Sequence, residues 1–130
     1  AGDRGQVLSL EGNEQAVRDA RRTLHDHPTA RLASGRVSAR SVRELAGSFT
    51  GGRPDVVVLD PPRQGAGCEV IEAVGALGAE RIVLVACDPA ALARDLGTLL
   101  RSGYTLGSMS ALDMFPHTHH FETIAVLERS

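Results

Sequence analysis

Four side chains stand where chemistry is possible: Cys87, Asp60, Glu11 and Glu122. Cys87 follows Ile82 to Ala86, an apolar run too short for a helix and rich in β-branched residues, which reads as a buried strand. Directly after it, Asp88 is a good helix N-cap, Pro89 is favoured at the first helical position, and an Ala/Leu/Arg run continues to Leu100. The thiol is therefore expected beside a helix N-terminus, whose partial positive charge stabilises a thiolate, the nucleophilic form of cysteine. On this stretch alone the bland alternative stands, because an unpaired cysteine ending an apolar strand is more often a small buried hydrophobe.

Asp60 closes a second apolar run, Val56 to Leu59, of the kind found in parallel strands covered on both faces. Pro61 and Pro62 forbid the strand from continuing and stiffen the backbone behind the carboxylate. Ligands of open parallel sheets bind outside the carboxyl ends of strands, where an Asp can accept hydrogen bonds from a ligand's amine or a flipped base. The alternative is an Asp that merely caps the next helix. Glu11 follows a short strand, Gln6 to Leu10, as the chain turns into an amphipathic helix from Asn13 to Leu24. An acidic residue there can accept hydrogen bonds from ribose hydroxyls, or can simply be a surface carboxylate near a helix start. Glu122 lies at the start of the last expected strand, Phe121 to Glu128, and is a general base only if folding brings it near Cys87. His117, His119 and His120 crowd together, but no HExxH or CxxC spacing accompanies them, so no metal is expected.

The elements that must position these groups alternate. Strands at Gln6 to Leu10, Arg31 to Val37, Val56 to Leu59 and Ala79 to Ala86 are each followed by a helix, the helices being Asn13 to Leu24, Val42 to Phe49, Cys68 to Leu77 and Pro89 to Leu100. Two strands, Tyr104 to Leu112 and Phe121 to Glu128, close the chain. Repeated βα alternation predicts an α/β fold with a doubly wound, mostly parallel sheet, and the final pair predicts an antiparallel addition at one edge. At 130 residues this reads as one domain. With 42% hydrophobic and 23% charged residues nothing suggests disorder, and no stretch reads as a membrane span or signal peptide. Two cysteines are too few for a disulfide framework, which points to a reducing cytoplasm. A net charge of −2 argues against gripping nucleic acid by bulk electrostatics, and 3% aromatic residues against a platform for stacking several bases.

Three stretches together resemble the RNA uracil-5-methyltransferase family: Leu59 to Gly65 (LDPPRQG), Val85 to Leu96 (VACDPAALARDL) and Leu112 to Glu122 (LDMFPHTHHFE). The resemblance implies a Rossmann-like class I methyltransferase fold that methylates carbon 5 of a uridine in rRNA or tRNA, with S-adenosylmethionine as donor. It assigns Cys87 as nucleophile, Glu122 as general base, and Asp60 and Glu11 to the donor site, Glu11 on the ribose. Where the family usually has Ser-Cys-Asn-Pro, this chain has Ala86-Cys87-Asp88-Pro89. The added carboxylate opposes thiolate formation unless it is committed to capping. The family's first strand and glycine-rich donor loop would precede Gln6, so the chain is expected to be the C-terminal part of a longer enzyme and to bind the donor poorly alone. Two other readings stay open: an amino-group methyltransferase built on Asp60-Pro61-Pro62, and a catalytically silent RNA-binding module.

Overall fold

The computed structural model describes Gly2, residues 4–113 and residues 122–130. Residues 114–121, with the histidine cluster and most of the third motif, lie outside the described residues. The elements run β1 (Val7–Glu11), α1 (Glu14–Thr23), β2 (Ala30–Ser34), α2 (Ala39–Ala46), β3 (Val56–Leu59), α3 (Cys68–Ala76), β4 (Arg81–Ala86), α4 (Pro89–Arg101), β5 (Tyr104–Leu112) and β6 (Glu122–Arg129). The α/β alternation and the closing strand pair are as the sequence predicts. Helix α2 starts three residues before the expected Val42 because Ser38 and Ser41 form a reciprocal capping box that satisfies donors at the helix entry. It also ends early, since Ser48 and Phe49 already donate to carbonyls three residues back, Leu45 and Ala46, in turn geometry. Strand β2 is shorter than expected and stops at Ser34.

The strands form two sheets. In one, β1 and β2 pair in parallel from Val7↔Ala30 to Glu11↔Ser34. In the other the order is β3-β4-β6-β5, with β3 parallel to β4 and β6 antiparallel to both β4 and β5. The expected doubly wound sheet is therefore divided in two, β1 and β3 belonging to separate sheets among the described residues. Helix α2 bridges the pieces by packing on β1 and on α3, and the Gln6 side chain adds polar ties from the start of β1 to Ser48 and Thr50.

The core lies on one face of the four-stranded sheet. Ile82 and Leu84 of β4 and Ala125 and Leu127 of β6 are fully buried against Ile71 and Val74 of α3 and Leu99 of α4. Val57 and Leu59 of β3 join the same cluster. Tyr104, at the start of β5, is buried with its hydroxyl donating to the Ala79 carbonyl at 3.0 Å. Side chains alternate across a strand, so Val56 and Val58 point the other way, and they are 49% and 66% exposed. Val83, Val85, Ile124 and Val126 share that second face and are half-buried.

This asymmetry sets stability expectations. Ile82→Ala removes a fully buried side chain and is expected to cost about 2–5 kcal/mol in urea denaturation, whereas Val58→Thr on the open face is expected to change stability by less than about 0.5 kcal/mol.

Candidate active site

The site is built from strand ends. Strand β4 stops at Ala86 and α4 begins at Pro89, so Cys87 occupies a two-residue corner with Asp88. Asp88 is the N-cap in extended conformation, and its Oδ1 accepts the Ala91 N–H at 2.7 Å. Its carboxylate is thus committed to the helix end, which meets the condition set by its place beside the nucleophile. The Cys87 thiol is free and partly exposed, so it is neither disulfide-linked nor sealed in the core.

Register brings two of the other groups to the same place. Strands β3 and β4 pair to Leu59↔Leu84, which leaves Asp60 immediately past the carboxyl end of β3 and exposed. Strands β4 and β6 pair to Ala86↔Thr123, so Cys87 and Glu122 are the next positions outward on adjacent antiparallel strands. Alternation carried one step further puts Asp60 with Val56 and Val58, Cys87 with Val83 and Val85, and Glu122 with Ile124 and Val126. All three therefore stand at the edge of the sheet marked by the carboxyl ends of β3 and β4, with Glu122, inside β6, on the face opposite the helical core. Glu122 is half-buried there.

Glu11 ends β1 in the other sheet and is not brought into the register that joins the first three. Its Oε1 accepts the Asn13 N–H at 2.7 Å, while Asn13 caps α1 by accepting from the Gln15 and Ala16 N–H groups. It nevertheless stands, like Asp60, at the carboxyl end of a parallel strand and exposed.

Asp95, to which no motif gives a role, is buried on the inner face of α4 with Oδ2 accepting the Ala66 N–H at 2.9 Å. A signal was present: Ala91, Leu92, Asp95, Thr98 and Leu99 are the buried positions of α4, and a carboxylate in such a stripe needs a partner. The other cysteine, Cys68, is exposed at the start of α3. Its Sγ donates to Glu72 Oε1 at 3.2 Å, and that hydrogen bond pushes the thiol above its ordinary range. Among the described residues no group of three His, Cys, Asp or Glu side chains is placed to hold a metal ion. Among the described residues, too, no helix is long and apolar enough to cross a membrane.

Parallel strands joined by helices, an antiparallel pair at one edge and acidic residues at strand carboxyl ends define a class I methyltransferase fold. The chain superimposes with a TM-score of 0.74 on the Pyrococcus abyssi tRNA (uracil-54, C5)-methyltransferase, whose structure contains S-adenosyl-L-homocysteine, at 32% identity over 94% of this chain and 28% of that one. The chain belongs to the tRNA (uracil-5-)-methyltransferase family, whose profile matches residues 38–130. It is 47% identical over 127 residues to an uncharacterised RNA methyltransferase of Streptomyces avermitilis, covering 98% of this chain and 28% of the relative. It is also 54% identical over 76 residues to the 23S rRNA (uracil(1939)-C(5))-methyltransferase of Vibrio parahaemolyticus, covering 58% of this chain and 17% of that protein. The chain thus spans little more than a quarter of the length of the full-length relative from Streptomyces avermitilis.

Two expectations follow from the corner and from the second thiol. Asp88→Ala should cost about 1 kcal/mol of stability and Asp88→Asn much less, as read by urea denaturation, because Asn retains an oxygen that can cap. Glu72→Gln should speed alkylation of Cys68 by iodoacetamide near pH 8, since loss of the carboxylate lowers the thiol's raised pKa and increases the thiolate fraction; mass spectrometry resolves the two cysteines.

Proposed function

We propose that residues 1–130 form one catalytic domain within a longer S-adenosylmethionine-dependent RNA (uracil-5-)-methyltransferase that acts on a uridine of rRNA or tRNA in the cytoplasm. The observation that supports this most is the register that makes Cys87 and Glu122 neighbours, with Asp60 at the end of the adjoining strand. Family membership supplies the reaction class, and the site residues match the chemistry that carbon 5 of uracil demands.

Carbon 5 of uracil is too weakly nucleophilic to take a methyl group unaided. Addition of the Cys87 thiolate to carbon 6 turns carbon 5 into an enolate carbon, which is reactive enough. When bound, the donor offers its methyl on a sulfonium, a good leaving group. Glu122 then removes the proton left on carbon 5, and elimination of the Cys87 thiolate restores the ring and frees the enzyme. Asp60, stiffened by two prolines, and Glu11, at the head of α1, are suited to hold the donor through its polar groups, Glu11 through the ribose hydroxyls. The uridine must leave its stack to reach Cys87. The partly exposed corner between β4 and α4 is where that approach would be made.

The test uses the complete protein that carries this chain. Wild type should form a covalent adduct with RNA containing 5-fluorouridine, because fluorine replaces the proton that Glu122 must remove; Cys87→Ala should form none and should not methylate. Glu122→Gln should lower turnover by about 10²–10⁴-fold and accumulate an adduct on ordinary uridine RNA, visible as a shifted band in denaturing gels. Equal methylation by Cys87→Ala and wild type would overturn the mechanism and favour an amino-group methyltransferase centred on Asp60-Pro61-Pro62. Glu11→Ala should weaken S-adenosylhomocysteine binding in calorimetric titration by about tenfold or more, the scale of a lost charged hydrogen bond.

A further inference from the structure

The geometry points to Asp95 as a positioning residue that fixes the turn carrying Asp60 relative to the helix that follows Cys87. The β3–β4 ladder ends at Leu59↔Leu84, so nothing in the sheet holds the segment from Asp60 to Gly67. Helix α4 does so instead. Asp95, 5% exposed, accepts the Ala66 N–H on Oδ2 at 2.9 Å, and Arg94 Nη2 donates to the Gln64 carbonyl at 3.2 Å. Between these contacts Gly65 donates its N–H to the Pro62 carbonyl at 2.8 Å, closing a tight turn just after the diproline. Three successive backbone positions of the turn are thereby held by α4 or by the turn itself.

Gly65 shows how close the approach is. Its φ is +86°, and a Cβ there would lie 2.8 Å from Asp95 Oδ2 and 3.3 Å from Ala91 Cβ. Glycine is required on both counts, for the left-handed backbone and for the space the carboxylate occupies. A buried carboxylate is costly unless hydrogen-bonded, and this one is satisfied by a backbone N–H of the turn rather than by a cation. The same helix is capped by Asp88, the residue next to Cys87, seven residues before Asp95, or about 10 Å along a rigid helix. Cys87 and the Asp60 turn are thus tied to opposite ends of one short lever. Displacing Asp95 should move Asp60 without moving the nucleophile.

The functional arm of this inference rests on the proposed donor role of Asp60. The test measures amide hydrogen exchange at Ala66 in this chain and S-adenosylhomocysteine affinity in the complete protein, for wild type, Asp95→Leu, Asp95→Asn and Thr98→Val. Asp95→Leu should speed Ala66 exchange and weaken S-adenosylhomocysteine binding, each by about tenfold or more. Asp95→Asn, which keeps an acceptor oxygen, should recover most of both. Thr98→Val alters a buried residue one turn on and should lower the melting temperature while moving neither readout. If Asp95→Leu does not fold, Gly65→Ala pushes on the same contact from the turn side and should weaken binding likewise. Wild-type affinity in Asp95→Leu, or in Gly65→Ala in its place, would overturn the positioning role, and so would unchanged Ala66 exchange. Failure of wild type itself to bind S-adenosylhomocysteine would instead overturn the donor-site reading, and Ala66 exchange alone would then decide whether Asp95 holds the turn.

Discussion

The structure depends on the double pairing of β4. It is parallel to β3 on one side and antiparallel to β6 on the other, and its inward residues Ile82 and Leu84 are fully buried. Because the side-chain period of a strand is two, a slip of one residue would turn these groups to the open face and carry Val83 and Val85 into the core. The same slip would move Cys87 out of step with Glu122, whose strand it adjoins. Burial of a few aliphatic side chains therefore sets the register, and the register sets which polar groups meet at the strand ends. Packing and chemistry are specified by one alternation.

Helix α4 converts that register into a rigid corner. Its N-cap carboxylate, a departure from the family's usual asparagine, is absorbed by the Ala91 N–H. A residue that the sequence alone leaves opposed to a neighbouring thiolate is thus the cap that starts α4, with its charge engaged. Two turns later the helix grips the loop after β3 through buried Asp95 and exposed Arg94.

How far the molecule could be read in advance follows the range of the interactions involved. Strands β3 and β4 were legible because β-branched runs bounded by Pro and Gly admit little else, and α4 because Asp88 and Pro89 mark its start locally. The three motifs carried the family. The start of α2 was not legible: its capping box is made by two serines in a polar stretch that gives no apolar period until Val42. The division of the sheet between β1 and β3 was not legible as a pairing pattern, since hydrogen-bond partners are long-range facts. Asp95 escaped for the same reason, because its partner lies twenty-nine positions away in the sequence and is a backbone amide that no side-chain pattern reveals. Glu11 stands at a strand end as the sequence predicts, and its bond to Asn13, a local contact, was not legible from the motifs.

Strand β3 is the first strand of its sheet in this chain and shows two exposed valines, Val56 and Val58, on the face away from the core. It is only four residues long, and it is bracketed by Pro54 and Asp55 before it and by Asp60, Pro61 and Pro62 after it. Prolines cannot donate to an added ladder, and paired carboxylates repel a stacked copy of themselves. The diproline that shapes the turn after β3 thereby also stops any ladder that an added strand could build beyond Leu59.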